Sequence, residues 1–197
     1  GCGLTEGEAL GHNYVDCVCT SCGTTIGHNY VNGFCTVCDA YEPAVLSGDV
    51  YEISNAGQLY WFAAQVNGGN NAINGKLMAN IVINENVLND DGELNGDGSD
   101  FRVWTPIGIS YSVNPYLGTF DGNGHTVSGL YFNDSSVGNI GLFGYIGEEN
   151  WAKYEYGYIQ GFVQNVGIID SYLSGKYSVG GVVGYLYHGV VTNCFNA

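Results

Sequence analysis

The sequence predicts an all-β fold assembled from short stacked repeats: a parallel β-helix or solenoid with one N-terminal capping helix. A small Cys/His-rich, zinc-ribbon-like region precedes it. Three observations carry this expectation. Six of the seven cysteines fall in the first 40 residues. A single stretch of helical periodicity stands at residues 51–69, and short apolar runs punctuated by Gly and Asn follow it. Those runs resemble one another at a fixed spacing.

The composition shift near Glu42-Pro43 divides the chain into residues 1–42 and residues 43–197. The first region repeats itself without a gap: GHNYVDCVCTSC (11–22) against GHNYVNGFCTVC (27–38), with His12 and His28 in equivalent places. Each copy has a histidine, then Asn-Tyr-Val, then Cys-x-x-Cys. Two such knuckles suit one tetrahedral zinc ion, because a tight turn lets both thiolates of a knuckle reach the same ion. The expected ligands are Cys19, Cys22, Cys35 and Cys38, with His28 or His12 able to replace a cysteine. Disulfides are the alternative. A four-ligand site is structural, since it keeps no open position for substrate. A region this short has too little core to fold alone, so a metal or disulfides are needed. Cys2 and Cys17 read as spare, able to pair with each other, and Cys194 reads as a small apolar core residue.

In YEISNAGQLYWFAAQVNGG (51–69), Leu59, Phe62, Ala63 and Val66 follow the i, i+3, i+4, i+7 pattern of an amphipathic helix. Ser54 or Asn55 can cap its start and Gly68-Gly69 ends it. The helix is expected to plug one end of the sheets and shield their edges. Strand-like runs follow at residues 76–84, 101–109, 126–132, 140–146, 162–169, 178–186 and 189–195.

These runs carry the repeat. GNIGLFGYIG (138–147) matches VGGVVGYLYH (179–188), and FVQNVGIID (162–170) matches VVTNCFNA (190–197), with Val163, Asn165 and Val166 each 28 residues before Val191, Asn193 and Cys194. TVSGLYFND (126–134) reads as a third copy of that second element. A unit this short cannot bury its own apolar face, whereas a stack of units can. Asn165 and Asn193, at equivalent turns, are placed to form an asparagine ladder. Asn196-Ala197 falls in the middle of a unit, so the chain reads as a piece of a longer protein.

GTFDGNGHTVSGLYF (118–132), GLFGYI (141–146) and SVGGVVGYLYHGVVTNCFN (178–196) resemble GLUG-motif repeats. YEISNAGQLYWFAAQVN, FRVWTPIG and GTFDGNGHTVSGL resemble the usual entry into such repeats, and the resemblance spans residues 45–197. That family occurs in secreted and surface proteins of bacteria, including adhesin-like proteins and the non-catalytic parts of IgA-cleaving metallopeptidases. The resemblance implies a right-handed β-helix-like solenoid and no particular chemistry. On this reading Asp121-Gly122-Asn123-Gly124 is a corner of the fold, its polar residues explained by turn chemistry. Calcium at Asp121 and Asn123 is the alternative. The acidic loop NDDGELNGDGSD (89–100) matches the start of a calcium loop at Asp91, Glu93, Asn95 and Gly96, but Arg102 stands where the closing carboxylate belongs.

The net charge is −15 with four Lys and Arg. Nucleic acid is thereby excluded as a partner, for want of a basic footprint. No stretch is long and apolar enough for a transmembrane segment. No nucleophile elbow, His-Glu-x-x-His or phosphate loop occurs. The acids lie in loops, Glu148 and Glu149 reading as a solvated turn, and no facing carboxylate pair for glycoside hydrolysis is evident. The best binding candidate is EENWAKYEYGYIQ (148–160), an insertion between two repeats. There Trp151, Tyr154, Tyr156 and Tyr158 can meet a glycan or a host surface protein. The expectation is a non-catalytic extracellular bacterial surface module for adhesion, display or spacing. The alternative is a carbohydrate-active β-helix or an accessory region of a larger secreted hydrolase or peptidase.

Overall fold

The computed structural model describes residues 14–15, 17–20, 23, 25–110, 112–150 and 157–197. They form a mostly β structure with one helix. Two small hairpins come first: β1 (Tyr14–Val15) with β2 (Val18–Cys19), and β3 (Tyr30–Val31) with β4 (Phe34–Cys35). A third antiparallel pair, β5 (Val45–Ser47) and β6 (Val50–Ile53), leads into α1 (Ala56–Asn67). Then come β7 (Asn74–Leu77), β8 (Ile81–Val82), β9 (Thr119–Asp121), β10 (Thr126–Ser128), β11 (Tyr131–Asp134) and β12 (Phe143–Ile146). The hairpin β13 (Glu148–Asn150) and β14 (Gly157–Ile159) follows, so Glu148 and Glu149 belong to a strand rather than to a turn. The last elements are β15 (Phe162–Gln164), β16 (Gly167–Ile169), β17 (Tyr172–Gly175), β18 (Val183–Leu186), β19 (Val190–Thr192) and β20 (Phe195–Asn196).

These strands make several small sheets. One has the order β19-β15-β9-β7-β6-β5 and another β20-β16-β10-β8, while β11 pairs β17 and β12 pairs β18. Apart from β5–β6, every pairing in these four sheets is parallel. Parallel neighbours require a crossover rather than a hairpin; α1 supplies it between β6 and β7, and stretches containing other short strands supply it elsewhere. The 28-residue spacing appears directly, with Val163 opposite Val191 and Phe162 opposite Val190. The Gly-Tyr runs also align as expected, Tyr145 opposite Tyr185. One alignment needs correction. Thr126–Ser128 lies beside Gly167–Ile169, and Phe162–Gln164 lies beside Thr119–Asp121, so TVSGLYFND runs one strand later than its resemblance to FVQNVGIID suggests. The reason is the longer corner at residues 122–125, which displaces the count. Residues 101–109 form single bridges from Val103 to Tyr131 and from Ile107 to Phe143 rather than a strand.

The helix follows its sequence signals. Asn55 is the N-cap, its side chain accepting from the Gln58 amide at 2.9 Å, and Gly68 is the C-cap. Leu59, Phe62, Ala63 and Val66 are all buried. Each large apolar side chain so buried contributes about 1.5–3 kcal/mol. Phe62 meets Phe120 at 5.8 Å, and Phe120 meets Phe143 at 5.2 Å, so the helix closes onto the apolar interior between the sheets. Gly75 in β7 makes room for this cluster, since a Cβ there would stand 2.9 Å from both Phe62 and Phe120. Asn55→Ala removes the cap and the bond its Nδ2 donates to Glu42 at 2.8 Å. A loss of about 1–2 kcal/mol in urea unfolding is expected.

The corner at residues 118–125 is built as turn chemistry demands. Asp121 Oδ1 accepts from the Asn123 amide at 2.8 Å, Asn123 adopts φ 54° and Gly124 φ 79°. Asn123 Nδ2 donates to the Leu77 carbonyl at 3.2 Å. The asparagine ladder is present: Asn193 Nδ2 donates to Asn165 Oδ1 at 2.7 Å, and Asn165 Nδ2 donates to Asp121 Oδ1 at 2.9 Å. Burial works against the Asp121 charge, but the bonds from Asn165 and the Asn123 amide hold its carboxyl below the usual range.

Candidate metal centre

The described residues of the two Cys/His copies pair alike. In the first, Val18 bridges Thr25 and the Ile26 amide donates to the Cys17 carbonyl at 2.9 Å. In the second, Phe34 bridges Tyr41 and the Glu42 amide donates to the Gly33 carbonyl at 2.7 Å. Each copy thus contains a two-residue hairpin, and in the second copy the Cys35–Cys38 knuckle follows it. The turn at Asn32-Gly33 has both φ values positive, 48° and 77°, as a tight Asn-Gly hairpin requires. Cys17 occupies the place of Gly33 and takes the same left-handed conformation, φ 60°.

The turn of each copy addresses the next element. Gly33 packs against the first turn of α1, where its backbone lies against Gly57 and the Asn55 side chain. Asn32 completes that seat: its carbonyl accepts from the Gly57 amide at 2.9 Å and its Oδ1 from the Ala56 amide at 3.3 Å. The turn of the first copy instead brings Cys17 to the knuckle of the second. Cys17 Sγ lies 2.7 Å from Cys38 Sγ, 3.6 Å from Cys35 Sγ and 3.1 Å from His28 Nδ1. His28 Nδ1 is 3.5 Å from Cys38 Sγ. The ligand atoms of Cys17, His28, Cys35 and Cys38 all lie within 4.8 Å of one another. Phe34, over which Arg102 stacks at 3.8 Å, and Tyr41 anchor the knuckle against Tyr60 of the helix.

Three of the expected ligands, His28, Cys35 and Cys38, are therefore brought together. The fourth position is filled by Cys17, which the sequence reading sets aside as spare. His12 and Cys22 lie outside the described residues, as does the side chain of Cys19. Among the described residues no other group of three or more His, Cys, Asp or Glu ligand atoms converges in this way. Trp151, Tyr154 and Tyr156 also lie outside the described residues; Tyr158 lies in β14, its side chain likewise undescribed.

The donor set could bind a metal ion. Tetrahedral coordination by three sulfurs and one nitrogen places donors roughly 3.5–3.8 Å apart. The Cys17–Cys35 and His28–Cys38 separations already match, and the closer Cys17–Cys38 pair would part by roughly 1 Å on loading. Burial opposes the Cys35 thiolate, but the Val37 amide, His28 and the Cys38 and Asn29 amides together bring that thiol down to about 5. The hydrogen bond to Cys38, burial and the neighbouring Cys35 push the Cys17 thiol up to about 12. At neutral pH Cys35 is thus a thiolate and Cys17 retains its proton. Metal binding must displace that proton, so affinity is expected to rise with pH across the neutral range. Titrations with a chromophoric chelator at several pH values check this, together with proton release in a weakly buffered solution.

Comparison with protein-family models, with curated proteins and with solved structures gave no match. No helix among the described residues is long and apolar enough to cross a membrane.

Proposed function

We propose that this chain is a non-catalytic extracellular bacterial surface module of GLUG type: a zinc-stapled entry region leading into a helix-capped, right-handed β-solenoid. The observation that supports it best is the parallel stacking of equivalent residues. Val163 on Val191, Tyr131 on Tyr172, Tyr145 on Tyr185 and Asn165 on Asn193 form columns running through successive repeats. Such a stack makes a stiff body whose stability is shared between neighbouring units. That suits a spacer or a platform for display and adhesion, with Trp151, Tyr154, Tyr156 and Tyr158 of the inserted segment as the contact for glycan or a host surface protein. Its −15 charge disfavours anionic partners.

Retention of the purified chain on immobilised mucin and a panel of polysaccharides tests the adhesive reading. Retention lost in a Trp151→Ala/Tyr156→Ala variant supports it. Absence of retention on every surface leaves the spacer reading and removes the adhesive one.

Zinc is the metal this donor set favours, since three thiolates and an imidazole match structural zinc sites. Its role is to staple the first hairpin to the second, which is itself seated on α1. With cobalt(II) as a spectroscopic substitute, the native chain is expected to show three-thiolate charge-transfer absorption. Cys17→Ser should reduce it to a two-thiolate spectrum. An unchanged spectrum would assign the site to Cys19 and Cys22 instead.

A further inference from the structure

A groove of about 420 Å³ lies between the acidic loop and β11, sharing no residue with the metal centre or the inserted segment. Asp97, Gly98, Ser99 and Phe101 line it from the loop, and β11 lines it from the sheet. It exists because the preceding segment bridges β11 at one point, Val103 to Tyr131. The Tyr172 amide donates to the Leu130 carbonyl at 2.9 Å and the Trp104 amide to the Tyr131 carbonyl at 2.7 Å. Backbone groups of successive strand residues point to opposite sides, so those of Asn133 face the groove, where no described backbone group bonds them. Tyr131 is 7% exposed, yet its hydroxyl has no hydrogen-bond partner among the described residues. Among those residues every fully covered side-chain polar atom is bonded, so this hydroxyl opens on the groove its residue lines. Its Oη lies against Gly98, whose missing Cβ and φ of 81° leave it room.

Asp97 and Asp134 stand on opposite sides of this groove, one in the loop and one at the end of β11. Each is bonded within its own turn: Asp97 to the Ser99 amide at 2.9 Å, Asp134 to the Ser136 amide at 2.8 Å and hydroxyl at 2.6 Å. Those serines hold both carboxyls below the usual range. Neither acid makes an ion pair with a described residue, and Arg102, between Phe101 and Val103, turns instead to the Phe34 ring. Phe101, Phe132 and Val103, the last 55% exposed, give the groove its apolar surface. A neutral ligand would cover the two carboxylates without a counter-charge, and a bare metal ion would leave the apolar surface unused. We propose that the groove binds a small alkyl diammonium ion, its methylenes against Phe101, Phe132 and Val103 and its ammonium groups on Asp97 and Asp134. The Tyr131 hydroxyl oxygen and the Asn133 carbonyl accept the remaining N–H bonds, and the phenyl rings add cation–π attraction.

The probe is 1,5-diaminopentane, titrated into the full chain and followed by calorimetry and by amide NMR shifts. Saturable binding is expected, with the largest shifts at Gly98 and Asn133. Asp97→Asn and Asp134→Asn should each weaken it about tenfold, the worth of one charge-assisted hydrogen bond. Tyr131→Phe keeps the ring and removes only the hydroxyl, and should weaken binding about threefold. Asp49→Asn removes the same charge from the turn between β5 and β6 and should leave binding as it is. Equal weakening there would mean general attraction to an acidic surface and would overturn the assignment. 1,5-Pentanediol, of the same length without the charges, should not bind. Binding of the diol or of a neutral monosaccharide as tightly as the diamine would make this a carbohydrate groove and overturn the proposal. Displacement of the diamine by an equal concentration of calcium, or no saturable binding at all, overturns it too. The comparison of diamine with diol needs no variant, so it decides the question even if Tyr131→Phe fails to fold.

Discussion

Trp104→Ala is expected to destabilise the chain by about 3–5 kcal/mol, read as a fall in the urea midpoint. The indole is fully buried, packs edge-on against Tyr60 at 5.0 Å and donates from Nε1 to the Gly141 carbonyl at 3.0 Å. Its own amide donates to the Tyr131 carbonyl at 2.7 Å, and Tyr60 Oη donates to the Val103 carbonyl at 2.9 Å. One residue thus joins α1, the irregular segment before β9 and the run leading into β12. Truncation leaves a cavity and an unsatisfied buried carbonyl together. Trp104→Phe separates the two effects: it fills most of the volume and should cost nearer 1–2 kcal/mol through the lost hydrogen bond and the residual space. A loss below 1 kcal/mol for the alanine variant would mean that this packing is not formed.

Gly57→Ala sets two rules against each other. Helix propensity alone favours alanine by about 1 kcal/mol. In the fold, however, a Cβ at Gly57 would run into the backbone of Gly33, which has nowhere to move while Asn32 holds the first turn of α1. The expected outcome is a net loss of about 1–3 kcal/mol. Limited proteolysis should then cut within residues 25–41 while residues 43–197 persist as a resistant fragment. Stabilisation instead would show that the second hairpin does not sit on the helix. Because that hairpin carries His28, Cys35 and Cys38, the variant also reports whether the metal site needs the helix as its base.

The helix was legible in the sequence because every signal for it is local: the 3.6-residue spacing of Leu59, Phe62, Ala63 and Val66, the cap at Asn55 and the glycines after Asn67. The ladder from Asn165 to Asn193 was legible for a different reason, a short repeat of constant length. Where corners vary in length the spacing misleads, and TVSGLYFND was assigned to the wrong neighbour for that reason. Strands of two to four residues such as Thr119–Asp121 and Tyr172–Gly175 carry too few positions to show alternation. Val103 and Ile107 have strand-like character but make only single bridges. Cys17 was hidden by the repeat itself, which aligns it with a glycine. Yet a side chain kept at a tight turn where glycine is comfortable is a signal, since the left-handed conformation costs roughly 1 kcal/mol without glycine. Convergence of that turn on the next knuckle could not be read from spacing.

The pairing of β12 with β18 spans 40 residues and that of β15 with β19 spans 28, yet both are in register. The additional length leaves through the β13–β14 hairpin and returns without shifting either wall. Chain length between the Gly-Tyr strand and the strand after it is therefore decoupled from the framework. A foreign epitope replacing residues 151–156 should leave the unfolding midpoint near that of the parent, whereas one residue added between Val183 and Leu186 should not. For such a scaffold the walls keep their count whatever length stands between Asn150 and Gly157, so what is presented there can be exchanged without rebuilding what carries it.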